Sequence, residues 1–266
     1  MCRWAAYQGA PLFLSEILTA PSHSLIHQSR AASECKAAIN ADGFGLAWYD
    51  KRPEPGLYRD VYPAWSDPNL ASIATQVQAH TFLAHVRAST GTATSRNNCH
   101  PFVQGRWSFM HNGQVGGYDT FRRRADMLID DRHYAYRKGA TDSEALFLVA
   151  CGMGLDRDPK GAMQRAVAEF ETMAREAGQP GALIRMTVAI SDGESLYAIR
   201  YASDDLAPSL YYQWNDDWKG WAVVSEPYGD DSQGWTAVPK GSFCRFDADG
   251  CEIESFSPTQ ALRQIA

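Results

Sequence analysis

The second residue of the chain, Cys2, could act as a nucleophile that carries its own base. If Met1 is removed, a thiol and a free α-amine lie on one residue, and the amine can take the proton of the thiol. Ordinary pKa values of about 8.5 for a thiol and about 7.7–8.0 for an α-amine suit such a pair to chemistry near neutral pH. A cysteine at this position is more often an ordinary buried residue, so the interpretation depends on the rest of the chain.

Four short segments carry side chains that could complete a site around Cys2. They are HVRAST at 85–90, NCHPF at 98–102, HNG at 111–113 and TDSE at 141–144. Each segment also has a structural explanation. An arginine at a strand end is usually a surface residue, and His100 before Pro101 is more often a packed histidine than a catalyst. Asn-Gly is a common hairpin turn, and an aspartate at a helix start stabilises the helix. The joint occurrence of the four segments behind Cys2 favours a functional site.

Regular elements are expected to position these segments. The nearest are strands over 2–8, 81–88 and 106–111, and a helix that begins at the capping pattern TDSE. The alternation in 81–88 places Arg87 and Phe82 on opposite faces of its strand. The strand over 106–111 runs into Asn112-Gly113, which we expect to be a turn or the end of the strand.

The remaining pattern indicates one domain that contains both helices and sheets. It comprises a helix capped by Asp67-Pro68, a helix over 160–177, strands over 183–190, 195–201, 210–214 and 220–226, and a terminal hairpin that turns at Asp249-Gly250. Strands near both ends with helices between them predict an α+β domain of sheets covered by helices. We place this single domain at 1–256, followed by a short tail at 257–266.

The composition excludes several classes of partner. The net charge of −6 over 266 residues argues against nucleic acid and anionic membranes as partners. No run approaches the ~18–20 apolar residues of a membrane-spanning helix, and the N-terminus lacks the pattern of a secretory signal. The six cysteines show no zinc-type spacing, so we expect no metal site. A cytoplasmic protein is the default expectation.

The motifs MCRW, NADGFG, HVRAST, NCHPF, HNG, TDSE and SEP occur in this order along the chain. In this combination the chain resembles the class II glutamine amidotransferases, which are N-terminal nucleophile hydrolases. It is most similar to their small stand-alone branch, which includes the γ-glutamyl hydrolase of ergothioneine biosynthesis and the related amidohydrolase of fungal glutathione breakdown. The resemblance implies a four-layer αββα sandwich of two mainly antiparallel sheets covered by helices.

The resemblance also implies a role for each matching residue. Cys2 attacks the γ-carbonyl of a glutamine-like substrate, and the side-chain amide of Asn112 and the N–H of Gly113 form the oxyanion hole. A γ-glutamyl compound has a zwitterionic end, so its site needs one fixed cation and one fixed anion. The implied substrate-binding residues are Arg87 for the α-carboxylate, Asp142 for the α-ammonium group, and Thr90 and His100 as lining of the glutamine pocket.

The expected activity is hydrolysis of a γ-glutamyl amide through a thioester on Cys2, which releases glutamate and needs no cofactor. Only a short tail follows the last hairpin, so we expect no fused synthase, and this favours outright hydrolysis over transfer of ammonia to a separate protein. Two alternatives stay open at this stage. The chain could pass ammonia to a separate acceptor protein, or it could be a binding or regulatory protein without turnover, as a retained Met1 would produce.

Overall fold

The computed structural model describes residues 2–33, 39–89, 93–229 and 234–259. Met1, Cys35, Thr90 and residues 260–266 of the predicted tail lie outside these ranges, and the domain boundary at 256 stays a prediction. The strands in the described ranges are β1 (Arg3–Phe13), β2 (Phe44–Tyr49), β3 (Gly56–Asp60), β4 (Gln78–Val86), β5 (Phe102–Gln104), β6 (Trp107–Val115), β7 (Ile184–Ser191), β8 (Leu196–Ala202), β9 (Tyr211–Asn215), β10 (Gly220–Val224), β11 (Thr236–Ala237), β12 (Ser242–Asp247) and β13 (Gly250–Ser255). The helices there are α1 (Ser15–Leu18), α2 (Leu25–Arg30), α3 (Pro68–Gln76), α4 (Tyr118–Asp126), α5 (Asp131–Tyr134), α6 (Asp142–Gly152) and α7 (Pro159–Glu176).

The described strands form two antiparallel sheets. One sheet has the order β11-β9-β10-β1-β4-β2-β3, and the other has the order β13-β12-β8-β7-β6-β5. β1 lies in the interior of its sheet, where Ala5 pairs with Val224 of β10 on one side and with Ala84 of β4 on the other. The strand that follows Cys2 is therefore hydrogen-bonded along both edges.

Alternating side chains of the strands build the layers, as expected for residues that point to opposite faces of a sheet. On β1, Tyr7 packs in the core formed with helices α1, α2 and α3, whereas Trp4 packs in the core between the two sheets. On the other side of the molecule, Phe109 of β6 stacks on Phe147 of α6 with ring centroids 5.2 Å apart. The layers run helix, sheet, sheet, helix, which confirms the predicted αββα fold class.

Several predicted elements are confirmed with small shifts of their ends. Asp67 caps α3, because its carboxylate accepts a hydrogen bond from the N–H of Leu70 at 2.7 Å. The terminal hairpin is formed by β12 and β13, in which Asp247 pairs with Gly250. The sequence pattern missed the strands β3, β5 and β11 and the helices α1, α2, α4 and α5. Among the described residues, no helix is both long and apolar enough to cross a membrane.

The prediction that Asn112-Gly113 forms a turn or the end of a strand is wrong. Both residues lie inside β6, where Asn112 pairs with Thr187 and Gly113 with Met186 of β7. Gly113 has a φ of +146°, and a Cβ there would lie 1.9 Å from the carbonyl oxygen of Arg185. Glycine is required at this position because the two strands approach closely, not because the chain turns.

Candidate active site

Cys2 lies at the start of β1, half-buried, against the end of β4. Its sulfur is 3.4 Å from the backbone nitrogen of Ala88, which donates to it, and 3.5 Å from the Ala88 carbonyl oxygen. Two residues further on, the N–H of Trp4 donates to the hydroxyl of Ser225 at 2.9 Å, and the N–H of Ser225 donates to the Trp4 carbonyl at 3.0 Å. These bonds fix the backbone next to the thiol.

Asn112 connects the second sheet to Cys2. Its side-chain nitrogen donates a hydrogen bond to the Cys2 carbonyl oxygen at 2.8 Å, and the residue is 2 % exposed. A carboxamide nitrogen carries two N–H groups. One of them positions the residue that bears the thiol, and the other can serve as a donor to an oxygen in the site.

Arg87, which directly precedes Ala88, is buried at 4 % exposure. Its guanidinium donates to the carbonyl oxygen of Asp42 at 3.2 Å and to the hydroxyl of Ser89 at 3.1 Å. Asp42 is held in turn, because its carboxylate accepts the N–H of Ser89 at 2.7 Å. The structure thus provides a buried cation of fixed orientation one residue from the contact with the Cys2 sulfur.

Asp142 is the first residue of α6, directly after the capping residue Thr141, whose hydroxyl accepts the N–H of Glu144 at 3.1 Å. One Asp142 carboxylate oxygen accepts the N–H of Val115 at the end of β6, at 2.8 Å. The other accepts the N–H and the hydroxyl of Ser143, at 2.7 and 3.1 Å. Both oxygens of the carboxylate are therefore held in a fixed orientation at the N-terminus of α6, where the helix dipole suits a negative charge.

The predicted capping pattern at this helix is only half formed. The hydroxyl of Thr141 caps the helix as expected, but the carboxylate of Glu144 does not return to the capping residue. It forms a buried ion pair with Arg137 at 2.8 Å and accepts the N–H of Gly139 at 2.8 Å. Glu144 therefore fixes the segment that leads into α6 and Asp142.

His100 is buried beside the strand that carries Arg87. Its ring lies 4.4 Å, centroid to centroid, from the ring of His85 on β4, and neither ring has a hydrogen-bonding partner among the residues that the structure describes. Burial and the nearby Arg87 charge lower the pKa of His85 to about 3. Burial, and after it the neighbouring His85, lowers the pKa of His100 well below its ordinary value. Both rings are neutral at physiological pH. Thr90, the other predicted lining residue, lies outside the described residues.

The structure brings the four segments together in two ways. HVRAST and HNG contact Cys2 directly, through Ala88 and Asn112. NCHPF joins the site through the contact between the rings of His100 and His85, and TDSE joins it through the bond between Asp142 and Val115.

Three of the polar residues that hydrogen-bond to predicted site residues had no predicted role. They are Asp42, Ser89 and Ser143. All three lie within the motifs quoted above, and this position was the sequence signal that could have identified them as site residues.

The arrangement combines a thiol, an amide donor, a buried cation and an anion at the ends of β1, β4, β6 and α6. It can attack a carbonyl carbon in a molecule that also carries an anionic and a cationic group. Within the described ranges, no group of three or more His, Cys, Asp or Glu side chains is arranged to hold a metal ion.

A family comparison matches residues 13–263 to the glutamine amidotransferases class-II. The chain therefore belongs to the class II glutamine amidotransferases. The matched range begins after Cys2, so the case for the nucleophile depends on the geometry described above.

Individual proteins agree with this family. The chain is 32 % identical to the probable glutamine amidotransferase DUG3 of Saccharomyces cerevisiae, over 91 % of this chain and 80 % of that one. It is 28 % identical to the gamma-glutamyl-hercynylcysteine sulfoxide hydrolase of Mycolicibacterium smegmatis, over 90 % and 92 % of the two chains. A solved structure, the glutamine aminotransferase class-II domain protein of Silicibacter pomeroyi, is 46 % identical and superimposes with a TM-score of 0.80 over 97 % of this chain and all of that one.

Proposed function

We propose that this protein hydrolyses a γ-glutamyl amide bond with Cys2 as the nucleophile and releases glutamate. The observation that carries the proposal is the position of Cys2 between two groups. Its carbonyl accepts the Asn112 amide at 2.8 Å, and its sulfur contacts Ala88, the neighbour of buried Arg87. A thiol in this position has a donor for an oxyanion on one side and a cation for a carboxylate on the other.

In the proposed reaction, the Cys2 thiolate attacks the γ-carbonyl carbon after its proton has moved to the α-amine of the same residue. The oxyanion accepts hydrogen bonds from the Asn112 amide and the Gly113 N–H. The amine then gives the proton to the leaving nitrogen, the C–N bond breaks, and a thioester remains on Cys2. Water, deprotonated by the amine, attacks the thioester, so glutamate leaves and the thiol is restored.

The site selects γ-glutamyl compounds over other amides by binding the charged end of the substrate. Arg87 binds the α-carboxylate, because a planar guanidinium can donate two parallel hydrogen bonds to it. Asp142 accepts hydrogen bonds from the α-ammonium group. His100, and Thr90 by the resemblance of its motif, are assigned to the glutamine pocket.

The names of the relatives support the substrate class. One is called a glutamine amidotransferase and another a hydrolase of a γ-glutamyl sulfoxide, and each aligns with at least nine-tenths of this chain. Glutamine, glutathione and γ-glutamyl conjugates of sulfur compounds are therefore the substrates to compare first.

The test is a screen of these compounds in which free glutamate is measured. Wild-type protein should release glutamate from at least one compound, and Cys2→Ala should lower kcat by at least about 10³-fold. Cys251→Ser, which changes another half-buried thiol, should retain the activity. Undiminished release by Cys2→Ala would contradict the proposal.

The intact mass of the same preparations should show the loss of Met1, since a retained methionine would leave the α-nitrogen in an amide without basicity. Retained Met1 together with no glutamate release would instead favour a binding protein. Release of glutamate only in the presence of an acceptor protein would favour an ammonia donor.

A further inference from the structure

A chain of two hydrogen bonds connects β6 to the Asp142 carboxylate. The Nδ1 atom of His111 lies 2.8 Å from the hydroxyl oxygen of Ser143, and this hydroxyl lies 3.1 Å from a carboxylate oxygen of Asp142. His111 is 2 % exposed and Ser143 is 5 % exposed. The reaction described above assigns no part to either residue.

The donors along this chain can be assigned from chemistry. An ionised carboxylate only accepts hydrogen bonds, so the Ser143 hydroxyl must donate to Asp142. The hydroxyl has a single proton, so it accepts in its other contact, and His111 must donate through Nδ1–H.

The hydrogen bonds from His111 through Ser143 complete the support of the Asp142 carboxylate. The Val115 N–H holds one Asp142 oxygen at 2.8 Å, and the Ser143 N–H and hydroxyl hold the other. Two of these donors come from the backbone and are present whatever the side chains are. The hydroxyl is the one donor in this set that a substitution can remove, and His111 fixes its direction.

We propose that Ser143 and His111 are positioning residues that orient the Asp142 carboxylate toward the α-ammonium group of the substrate. The inference rests on the proposed function, because it takes Asp142 as the ammonium-binding residue. It adds that discrimination for an α-amino group depends on a hydroxyl and an imidazole that need not touch the substrate.

Binding of L-glutamate and glutarate to the Cys2→Ala protein separates this role from a general structural one. The two ligands differ only in the α-ammonium group, and the variant allows calorimetric titration without turnover. In this background, Ser143→Ala should lower the preference for glutamate over glutarate by about tenfold, as expected for a lost hydrogen bond to a charged group. The glutarate affinity should stay within about twofold.

Conservative variants and a control complete the design. Ser143→Thr keeps the hydroxyl and should restore the preference. His111→Asn keeps an N–H near the Nδ1 position and should lower the preference less than His111→Leu does. Ser191→Ala removes another buried hydroxyl, on β7, and should leave the preference unchanged. If Ser143→Ala does not fold, the two His111 variants make the same comparison.

Two results would overturn the inference. One is an unchanged preference in both Ser143→Ala and His111→Leu. The other is an equal loss of affinity for glutamate and glutarate, which would indicate a merely structural role. A parent Cys2→Ala protein that binds both ligands equally would remove the role of Asp142 itself. Absence of γ-glutamyl hydrolysis by wild-type protein, with the ligand preference intact, would contradict only the proposed function.

Discussion

The side-chain amide of Asn112 donates a hydrogen bond to the main-chain carbonyl of Cys2 across 2.8 Å. The two residues belong to different sheets, since Asn112 lies in β6 and Cys2 directly precedes β1. The bond therefore sets the distance between the thiol and the group assigned to the oxyanion. In the proposed reaction, the same amide both positions the nucleophile and stabilises the transition state.

Asn112→Ala should lower kcat by about 10²–10³-fold, which corresponds to the loss of one oxyanion donor. KM should change by less than about threefold, because the proposed contact forms fully only in the transition state. Steady-state kinetics on the substrate found in the screen provide the measurement. A raised KM at unchanged kcat would place Asn112 in substrate binding instead.

Arg87→Lys should raise KM by about tenfold or more with a smaller effect on kcat. An ammonium group cannot bond the Asp42 carbonyl, the Ser89 hydroxyl and both oxygens of a carboxylate in the geometry of a guanidinium. Arg96→Lys, which alters an arginine paired with Asp60 at the surface, is the control and should behave as wild type. An unaltered KM in Arg87→Lys would argue against the carboxylate contact.

Gly113→Ala should destabilise the fold by about 3–5 kcal/mol, since its Cβ would overlap the Arg185 carbonyl oxygen and the backbone has a positive φ. Gly105 also has a positive φ, +57°, but has open space around it. Gly105→Ala should therefore cost only about 1–2 kcal/mol. Urea unfolding of both variants measures the difference. Equal destabilisation would mean that the strands separate to accommodate the methyl group.

The buried His85 should make the protein less stable in mild acid. In the folded state its pKa is about 3, compared with an ordinary value of 6.5, so the unfolded chain binds the extra proton between these values. The stabilisation is complete above about pH 6.5 and is lost as the pH falls toward 3, and His85 alone accounts for a loss of about 1.4 kcal/mol at pH 5.5.

Urea unfolding at pH 7.5 and pH 5.5 tests this expectation. The decrease in the free energy of unfolding between the two values should be about 1.4 kcal/mol smaller in His85→Gln than in wild type. His27→Gln replaces an exposed histidine and controls for the substitution itself. An identical decrease in His85→Gln and wild type would show that His85 is already protonated in the folded protein at pH 5.5.

The sequence predicted the elements whose signals are local. Alternation identified β4, and a capping hydroxyl identified the start of α6 at Asp142. The family resemblance carried by the motif order also named residues that the structure places next to one another, such as Cys2 and Asn112. Residue types and their order carry this information without a structure.

The sequence could not predict features that depend on distant parts of the chain. Asn112-Gly113 has the composition of a turn, but pairing with Thr187 and Met186, more than 70 residues later, holds it in a strand. The bond from Arg87 to Asp42 spans 45 positions and the bond from His111 to Ser143 spans 32. Such contacts follow from the packing of the two sheets and α6.

The interior place of β1 also determines when a growing polypeptide can acquire its active centre. β1 is synthesised more than 200 residues before its neighbour β10, so Ala5 cannot pair with Val224 until β10 has been made. Until then β1 has one unpaired edge, which is open to wrong partners. A nascent or truncated chain that lacks β10 therefore has the Cys2 thiol but cannot form the finished sheet around it.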